Sequence, residues 1–387
     1  MPLTSFEPTD ATTAAAMLAV AAADGVSLVP QGHGTKLQGH TTGGAAPLST
    51  RKLTAGLAHY AGDLVATAPA GATLRDVNAV LSRERQWIPL DPPYADSATV
   101  GGIVACNDAG PRRHRFGTPR DLIIGIEVAL TNGKVVHSGG RVVKNVAGYD
   151  LARLFCGSRG SLGIITAVTF KLAPIAPTSR TLVAQFGDTA HAVDAALRIA
   201  ASASLTPSAL DLTAPESAVL VRYETTPRSS EHMCTATRAI LEQAGGQVSE
   251  CDGDQESALW AGHTRREEQD ALTIALSVLP TRVTPAIQHV ERLARDYGLD
   301  WSITGRSALG VLRLIARGSN DAQSAFIVAL RAAVGSLQGS LQVLRADAAV
   351  TLPEDAVGQV GTAAAVGFAV KRRFDPTGVL PYPWTQA

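Results

Sequence analysis

A pair of glycines, Gly101-Gly102, begins a stretch of small residues that ends in Asn107-Asp108-Ala109-Gly110. Because glycine has no side chain, such a stretch allows the backbone to come very close to a flat, charged ligand. A second glycine-rich segment, Pro30-Gln31-Gly32-His33-Gly34-Thr35-Lys36, lies about seventy residues earlier. The two segments together predict a fold that holds one large phosphate-bearing cofactor from two sides.

The spacing of these glycines excludes two common nucleotide-binding motifs. Leu37 stands where a G-x-G-x-x-G dinucleotide fingerprint starting at Gly32 needs its third glycine. The chain also contains no G-x-x-x-x-G-K-[ST] phosphate-binding loop. The 31–36 segment can still offer successive backbone N–H groups to anionic oxygens, with a hydroxyl from Thr35 and a charge from Lys36. Taken by itself, it is also compatible with a plain glycine turn between a strand and a helix.

The composition places the chain among folded proteins of more than one domain. Its 387 residues are enough for two or three domains, and 45% of them are hydrophobic. A formal net charge of zero argues against nucleic acid as the main partner. Four widely spaced cysteines, without a C-x-x-C pair, argue against an iron–sulfur cluster or a zinc site held by this chain. They also favour a reducing cytosol, and the N-terminal residues lack the pattern of a signal peptide.

The pattern of predicted elements indicates a domain boundary near residue 174. Before it, Thr12 or Thr13 is expected to cap a helix that stops at Gly25, and the hairpin signal Asn132-Gly133 lies between apolar runs. The run Pro174-Ile175-Ala176-Pro177 is typical of a linker. Beyond it, the order strand, helix, two strands, helix is ferredoxin-like and predicts an antiparallel sheet covered on one face by helices. The predicted domains are 1–174, 175–350 and a C-terminal segment, 351–387.

Six short motifs follow one another along the chain. They are Gly-His-Gly-Thr at 32–35, Asp-Pro-Pro at 91–93, Thr-Val-Gly-Gly at 99–102, Lys-Asn-Val-Ala-Gly-Tyr-Asp at 144–150, Gly-Ser-Arg-Gly-Ser-Leu-Gly-Ile-Ile-Thr at 157–166 and Phe-Asp-Pro-Thr-Gly at 374–378. Together they resemble the FAD-binding proteins of the vanillyl-alcohol oxidase / p-cresol methylhydroxylase (PCMH) superfamily. Within it, residues 109–113 and 143–150 look most like the GlcE-type FAD-binding subunit of bacterial glycolate oxidase.

The resemblance implies an α+β fold with a two-subdomain FAD-binding PCMH-type domain and a ferredoxin-like antiparallel α+β cap domain. The C-terminal segment would return to the FAD domain. The 31–36 and 101–110 loops would grip the FAD pyrophosphate through backbone N–H groups. Residues 163–166 would lie along the adenosine or ribityl part, and residues 91–92 would support the second loop. The implied cofactor-binding residues are Gln31, Gly32, His33, Gly34, Thr35, Lys36, Asp91, Pro92, Thr99, Val100, Gly101, Gly102, Cys106, Asn107, Gly110, Gly117, Thr118, Gly160, Gly163, Ile164 and Ile165.

Departures from the covalent flavoproteins of this family imply that FAD is bound non-covalently. Members that bind FAD covalently carry a histidine where this chain has Thr35. His33 lies two residues earlier, either as a neighbour of the phosphates or as a tolerated loop residue. Cys106 does not occupy the position of the cysteine that bicovalent members use, which favours a small buried filler.

The residues that would handle substrate are less well defined by the sequence. Arg112 and Arg113 belong to a dense basic cluster, in which a guanidinium could bind a substrate carboxylate. The same cluster could instead be a solvated loop or a docking surface for a partner subunit. Tyr149 could face the flavin or pack against the helix that follows it. The histidines are scattered singly, so we predict no metal site, and the sequence identifies no general base.

The resemblance implies an FAD-dependent oxidoreductase that acts on CH–OH groups. The chain would be the FAD-binding subunit of a glycolate-oxidase-like complex that oxidises glycolate, a small 2-hydroxy acid, to glyoxylate. Its partners would be a second FAD-binding catalytic subunit and an iron–sulfur subunit, in the cytoplasm or at the periphery of the inner membrane. Two alternatives stay open: a stand-alone FAD-dependent 2-hydroxy-acid dehydrogenase, and a non-catalytic flavoprotein scaffold subunit.

Overall fold

The computed structural model describes residues 6–36, 44–141, 150–353 and 362–381. Within those ranges the chain divides into two compact units. The first unit comprises Met1–Ala109, Gly117–Ile175 and Gln359–Ala387, and the second comprises Gly110–Phe116 and Ala176–Gly358.

Both units contain strands and helices. The strands are β1 (Leu28–Gln31), β2 (Ala46–Ser49), β3 (Ala58–Tyr60), β4 (Val65–Pro69), β5 (Gln86–Trp87), β6 (Ile123–Ala129), β7 (Val135–Gly139), β8 (Ile164–Lys171), β9 (Ala173–Pro174), β10 (Thr178–Gln185), β11 (Ala209–Ala214), β12 (Ala218–Thr225), β13 (Gln247–Asp252), β14 (Leu272–Ser277), β15 (Asp300–Arg306), β16 (Val311–Arg317) and β17 (Ser340–Arg345). The helices are α1 (Ala11–Asp24), α2 (Leu74–Leu81), α3 (Val100–Cys106), α4 (Arg113–Phe116), α5 (Pro119–Leu122), α6 (Leu151–Phe155), α7 (Thr189–Ala201), α8 (Pro227–Gln243), α9 (Gly253–Arg265), α10 (Val283–Asp296), α11 (Asn320–Ser336) and α12 (Thr362–Phe374).

The first unit is built on an antiparallel sheet. Among the described residues its strand order is β3-β4-β8-β6-β7, and β1 pairs with β2 in a separate parallel pair. The predicted hairpin is confirmed, since β6 and β7 pair across a turn in which Gly133 has φ +79°. Val128 and Val168 of the sheet are fully buried in a hydrophobic core that also contains Phe155 of α6.

Helix α1 begins two or three residues earlier than the sequence analysis expects. Asp10, and not Thr12 or Thr13, is its N-cap, and Oδ1 of Asp10 accepts a hydrogen bond from the Thr13 backbone N–H at 2.8 Å. A carboxylate in this position accepts a hydrogen bond from one of the backbone N–H groups that have no partner within the helix. The predicted stop is confirmed, because Gly25 has φ +66°, the left-handed region that glycine adopts without strain.

The stretch at 99–110 is not the loop that the sequence analysis describes, because its first half is helix α3. Thr99 caps this helix, and its hydroxyl accepts a hydrogen bond from the Gly102 backbone N–H at 3.2 Å. Val100 and Ile103 recur at helical spacing and are buried in the core. The two glycines are therefore held on a short helix whose apolar face is fixed by packing.

The second unit contains a large antiparallel sheet, as predicted. Within the described chain its strand order is β13-β10-β12-β11-β15-β16-β14-β17, and its neighbouring strands pair antiparallel. Elements β10-α7-β11-β12-α8-β13 form one ferredoxin-like half, and β14-α10-β15-β16-α11-β17 repeat its order. The halves meet where β11 pairs with β15. This structural repeat includes three strands, β13, β15 and β17, that the sequence analysis does not predict.

The two faces of this sheet differ in chemistry. One face packs against helices α7, α8, α10 and α11, in a core that includes Leu212, Ile274 and Phe326. The alternate residues of the strands, such as Asp211 and Arg222, lie on the opposite face. Residues 110–116, which the predicted boundaries assign to the FAD-binding domain, group with this second unit.

Candidate cofactor site

A pocket that opens to solvent lies in the first unit, between the segment that follows β1, helix α3 and the segment that precedes β8. Its open space, with the solvent at its mouth included, is about 710 Å³. The lining residues are Pro30, Gly32, His33, Gly34, Thr35, Lys36, Thr50, Thr99, Gly101, Gly102, Ala105, Cys106, Arg159, Gly160, Gly163, Ile164 and Ile165. Two glycine segments and the start of β8 therefore enclose one space.

The structure divides the implied cofactor-binding residues into two groups. Those that line the cavity are Gly32, His33, Gly34, Thr35, Lys36, Thr99, Gly101, Gly102, Cys106, Gly160, Gly163, Ile164 and Ile165. Those that are not among its lining residues are Gln31, Asp91, Pro92, Val100, Asn107, Gly110, Gly117 and Thr118. The second group includes residues that shape the loops around the cavity.

Several residues of the second group have clear structural tasks. Val100 is buried on the core face of α3. Asn107 ends that helix with φ +49°, and its Oδ1 accepts a hydrogen bond from the Arg120 backbone N–H at 3.1 Å. The Thr118 backbone N–H donates to Oδ2 of Asp121 at 2.8 Å, which fixes the start of α5. Gly110 lies in the second unit.

The glycines of the cavity leave no room for larger residues. A Cβ built on Gly32 would lie 2.4 Å from Oγ1 of Thr99, and one on Gly163 would lie 2.7 Å from Cγ1 of Val128. Gly34 has φ +74°, which most L residues avoid. At these positions a side chain would collide with neighbouring residues or strain the backbone, so glycine is required in the wall of the cavity.

Lys36 connects the first glycine segment to the residues that follow α3. Its Nζ forms an ion pair with Asp108 and donates a hydrogen bond to the Pro93 carbonyl oxygen at 2.7 Å. The Lys36 charge is thus balanced by a carboxylate, whereas the sequence analysis expects it to face an anionic ligand. Lys36 still lines the cavity with its side chain.

Sequence reasoning missed four lining residues: Pro30, Thr50, Ala105 and Arg159. A helical interpretation of 99–106 would have found Ala105, which lies one turn beyond Gly101. Arg159 stands inside the 157–166 motif, yet nothing in its spacing indicates that it faces a ligand. Thr50 joins the site because β2 pairs with β1, which only the tertiary structure decides.

The two cysteines near the cavity are neutral thiols. Burial raises the pKa of Cys106, which lines the cavity, and raises the pKa of Cys156 to about 12. The Cys156 thiol donates a hydrogen bond to Oδ1 of Asn107 at 3.3 Å. A protonated thiol is a poor nucleophile, so both side chains act as small packing groups at neutral pH.

The C-terminal motif at 374–378 helps to hold β1, the strand that precedes the first glycine segment of the cavity. Asp375 is buried, and its carboxylate accepts hydrogen bonds from the backbone N–H groups of Val379, at 3.1 Å, and Leu380, at 2.8 Å. The Val379 carbonyl oxygen then accepts a hydrogen bond from the Leu28 backbone N–H at 2.7 Å. This chain of contacts holds β1 in place, just before the first glycine segment.

The residues proposed for substrate do not converge on a binding site in the described structure. The Arg112 guanidinium binds the Glu224 carboxylate through two hydrogen bonds, at 2.8 and 3.0 Å, within the second unit. Glu224 thus takes the position that the sequence analysis reserves for a substrate carboxylate. Arg113 is the first residue of α4. Tyr149 lies outside the described residues.

A buried ionic cluster, which the sequence analysis missed, lies on the same polar face of the second unit. Asp211 is fully buried and contacts Nε2 of His263 at 2.8 Å and Nε of Arg306 at 3.4 Å. Arg306 also contacts Glu267 at 3.4 Å, and Glu267 contacts Arg313 at 3.2 Å. Burial opposes the ionisation of Asp211, but Arg306 and His263 hold the pKa of its carboxyl below the ordinary value.

The pair formed by Arg112 and Glu224 predicts an acid-sensitive second unit. Burial raises the pKa of Glu224, but the Arg112 guanidinium outweighs it and lowers the pKa to about 2. A carboxyl whose pKa is lower in the folded state contributes stability above its unfolded pKa, near 4.5, and loses it as the pH falls towards 2. We expect this contribution to be about 3 kcal/mol.

Urea unfolding of wild type and Glu224→Gln at pH 6 and pH 2 tests this expectation. The difference in the free energy of unfolding should shrink by about 3 kcal/mol between the two pH values. Glu231→Gln, on the exposed face of α8, is the matched control and should stay within about 0.5 kcal/mol of wild type. A Glu224→Gln difference that does not change with pH would contradict the role of the ion pair.

Two features are absent from the described ranges. None of the helices there is both long and apolar enough to cross a bilayer. Among the same residues, no group of three or more His, Cys, Asp or Glu side chains is placed to hold a metal ion.

Comparison with known proteins finds similarity over part of the chain. Residues 2–139 match the family described as FAD binding domain. The chain is 46% identical over 113 residues to glycolate oxidase subunit GlcE of Escherichia coli (strain K12), a match that covers 29% of this chain and 32% of that protein. It is 36% identical over 188 residues to glycolate oxidase subunit GlcD of Bacillus subtilis (strain 168), covering 48% of this chain and 40% of that protein. These matches span less than half the length of either relative.

Solved structures show the same fold over nearly the whole chain. Alkyldihydroxyacetonephosphate synthase superimposes with a TM-score of 0.73 at 15% identity, covering 97% of this chain and 76% of that chain. Chitooligosaccharide oxidase superimposes with a TM-score of 0.68 at 16% identity, covering 98% of this chain and 90% of that chain. The predicted fold class, α+β with an antiparallel cap sheet, is confirmed.

Residues 2–139 therefore contain an FAD binding domain, and the chain as a whole shares the fold of the two solved structures. Over part of its length the chain is similar to glycolate oxidase subunits GlcE and GlcD and to D-lactate dehydrogenases, including that of Archaeoglobus fulgidus, to which it is 35% identical over 174 residues, 38% of that protein.

Proposed function

We propose that this chain is the FAD-binding subunit of a complex that oxidises a small 2-hydroxy acid, with glycolate as the favoured substrate and glyoxylate as its product. The observation that carries the proposal is the lining of the cavity, because most of it belongs to the 2–139 region that matches an FAD binding domain. The 46% identity to a glycolate oxidase subunit supports glycolate. Similarity to D-lactate dehydrogenases makes D-lactate the next substrate to test.

The residues of the cavity fit the parts of FAD. Backbone N–H groups at 32–35 would hold the diphosphate, while Ile164 and Ile165 would exclude water from the adenosine or ribityl part. Gly101 and Gly102 would let the backbone of α3 come close to the cofactor. Bound FAD would supply a two-electron acceptor for the hydride removed from the carbinol carbon.

The other subunits of the complex are part of the proposal. Electrons that reach the flavin must leave it, and the four cysteines of this chain have no C-x-x-C spacing. We propose a second FAD-binding catalytic subunit and an iron–sulfur subunit as partners, in the cytoplasm or at the inner membrane through those partners. A scaffold role, in which this flavin does not react with substrate, is favoured by one observation: Glu224 binds the guanidinium of Arg112.

Anaerobic reduction distinguishes these readings. The purified chain, with and without co-expressed neighbouring-gene products, is mixed with glycolate or D-lactate while the flavin absorbance is followed. Bleaching only in the presence of partners supports the subunit role, and bleaching by the chain alone supports a stand-alone dehydrogenase. No bleaching in a complex that still oxidises glycolate through its other flavin supports the scaffold. No oxidation in any combination would contradict the 2-hydroxy-acid proposal.

The attachment of the flavin is a separate prediction. Thr35 cannot form the histidyl bond of covalent relatives, and the half-buried, protonated Cys106 is a poor nucleophile. We therefore expect acid precipitation of the purified chain to release all of its FAD into a yellow supernatant. A yellow pellet after washing in denaturant would show covalent attachment and contradict this expectation.

A further inference from the structure

Arg159 lies in the wall of the cavity, although its position in the sequence gave no sign of it. We propose that the Arg159 guanidinium binds the diphosphate of FAD and supplies a positive charge that the backbone N–H groups cannot. This inference rests on the proposed binding of FAD and concerns one residue of that same site. Three observations support it: the backbone at Arg159, the charges of the wall and the chemistry of the ligand.

The backbone holds Arg159 in an unusual conformation. Its φ is +54°, a left-handed value that non-glycine residues adopt at some cost in free energy. The Arg159 N–H donates to the Ala105 carbonyl oxygen at 2.7 Å, which ties the residue to the last turn of α3. On its other side, a Cβ on Gly160 would lie 3.2 Å from Cγ of Pro30 in β1. Arg159 is therefore fixed between the two elements that border the cavity.

The charges of the wall favour an anion at Arg159. Among the described lining residues, none carries a carboxylate. The wall includes two cationic side chains, Lys36, whose Nζ pairs with Asp108, and Arg159. Its field reaches the Cys106 thiol, where it opposes the rise in pKa that burial causes. A planar guanidinium is well suited to bind two phosphate oxygens at once.

The test measures FAD affinity in apo-protein, not turnover. Apo-chain is titrated with FAD by flavin fluorescence at low and high salt, for wild type, Arg159→Met and Arg159→Lys. We expect Arg159→Met to raise the Kd for FAD about 10- to 100-fold and to weaken its dependence on salt. Arg159→Lys, which keeps the charge but loses the two-point contact, should give an intermediate Kd.

Two controls separate ligand binding from folding. Arg83→Met removes an exposed arginine of the first unit that is not among the lining residues, and it should leave the Kd unchanged. The Tm of the apo-protein should be the same in all variants, while the rise in Tm on adding FAD should be smaller in Arg159→Met. If Arg159→Met is unstable, the comparison of Arg159→Lys with wild type decides.

The outcomes distinguish this inference from the proposed function. Equal Kd values for FAD in wild type and the Arg159 variants, with FAD bound tightly in each, would overturn the inference and leave the FAD site intact. A wild-type chain that binds no FAD would overturn the proposed function and this inference together.

Discussion

Gly102→Val is expected to abolish FAD binding while the chain stays folded. Gly102 lines the cavity, and a Cβ built on it would meet Oγ1 of Thr99 at 3.1 Å and otherwise point into open space among the described residues. The two methyl groups of valine would therefore stand where the cofactor binds. Since the neighbouring residues of α3 are locked in the core, the helix cannot move aside. We expect affinity for FAD to fall roughly 100-fold or more, a change of about 3 kcal/mol.

Titration of apo-protein with FAD measures this effect, and Gly62→Val is its matched control. Gly62 is exposed in the 3-10 turn Ala61–Asp63, and no described atom lies within 4 Å of a Cβ built on it. This control should bind FAD as wild type does. A Gly102→Val chain that binds FAD within a few-fold of wild type would show that the cavity is not the flavin site.

Arg306→Met is expected to cost the second unit about 3–5 kcal/mol of stability. The Arg306 guanidinium is 1% exposed and lies between the buried carboxylates of Asp211 and Glu267. Methionine is of similar length, so the loss is of charge and hydrogen bonding more than of volume. Without Arg306, both carboxylates would remain buried with less positive charge beside them. His263 would still contact Asp211, and Arg313 would still contact Glu267.

Urea unfolding, followed by a probe in the second unit, measures this loss. Trp260 serves as that probe, since its ring lies 5.4 Å from the ring of His263 in the same cluster. Arg295→Met on α10 is the control, because Arg295 is exposed and contacts Glu291 at 3.1 Å on the surface. An exposed pair contributes about 0–1 kcal/mol. Equal losses in the two variants would show that the buried cluster does not stabilise the unit.

Local chemistry explains which elements could be predicted from the sequence. The hairpin at Asn132-Gly133, the stop at Gly25 and the ferredoxin-like order of the second half depend on neighbouring residues and on short apolar patterns. The stretch 99–110 was misread because its glycines favour a loop, whereas burial of Val100 and Ile103 makes its first half a helix. Here packing outweighed local propensity.

The second half shows where sequence patterns stop. Its two ferredoxin-like halves share an order of elements without a sequence repeat that we could detect, because many residue sets satisfy the same alternating pattern. Strands β13, β15 and β17 are not predicted from the sequence because each carries polar residues at several positions in place of a continuous apolar run. In β15 these include Thr304 and Arg306, whose partner Glu267 is supplied by a distant segment.

The sequence by itself determined the order of the glycine-rich motifs, the type of cofactor that their resemblance implies and the class of the second domain. Each of these depends on the local sequence and on the backbone conformations that its residues prefer, and not on distant parts of the chain. The tertiary structure alone decided that Arg112 binds Glu224, that Arg159 faces the cavity and that Asp211 joins Arg306. Such pairings depend on which side chains the fold brings within a few ångströms, and that distance is independent of their separation along the chain.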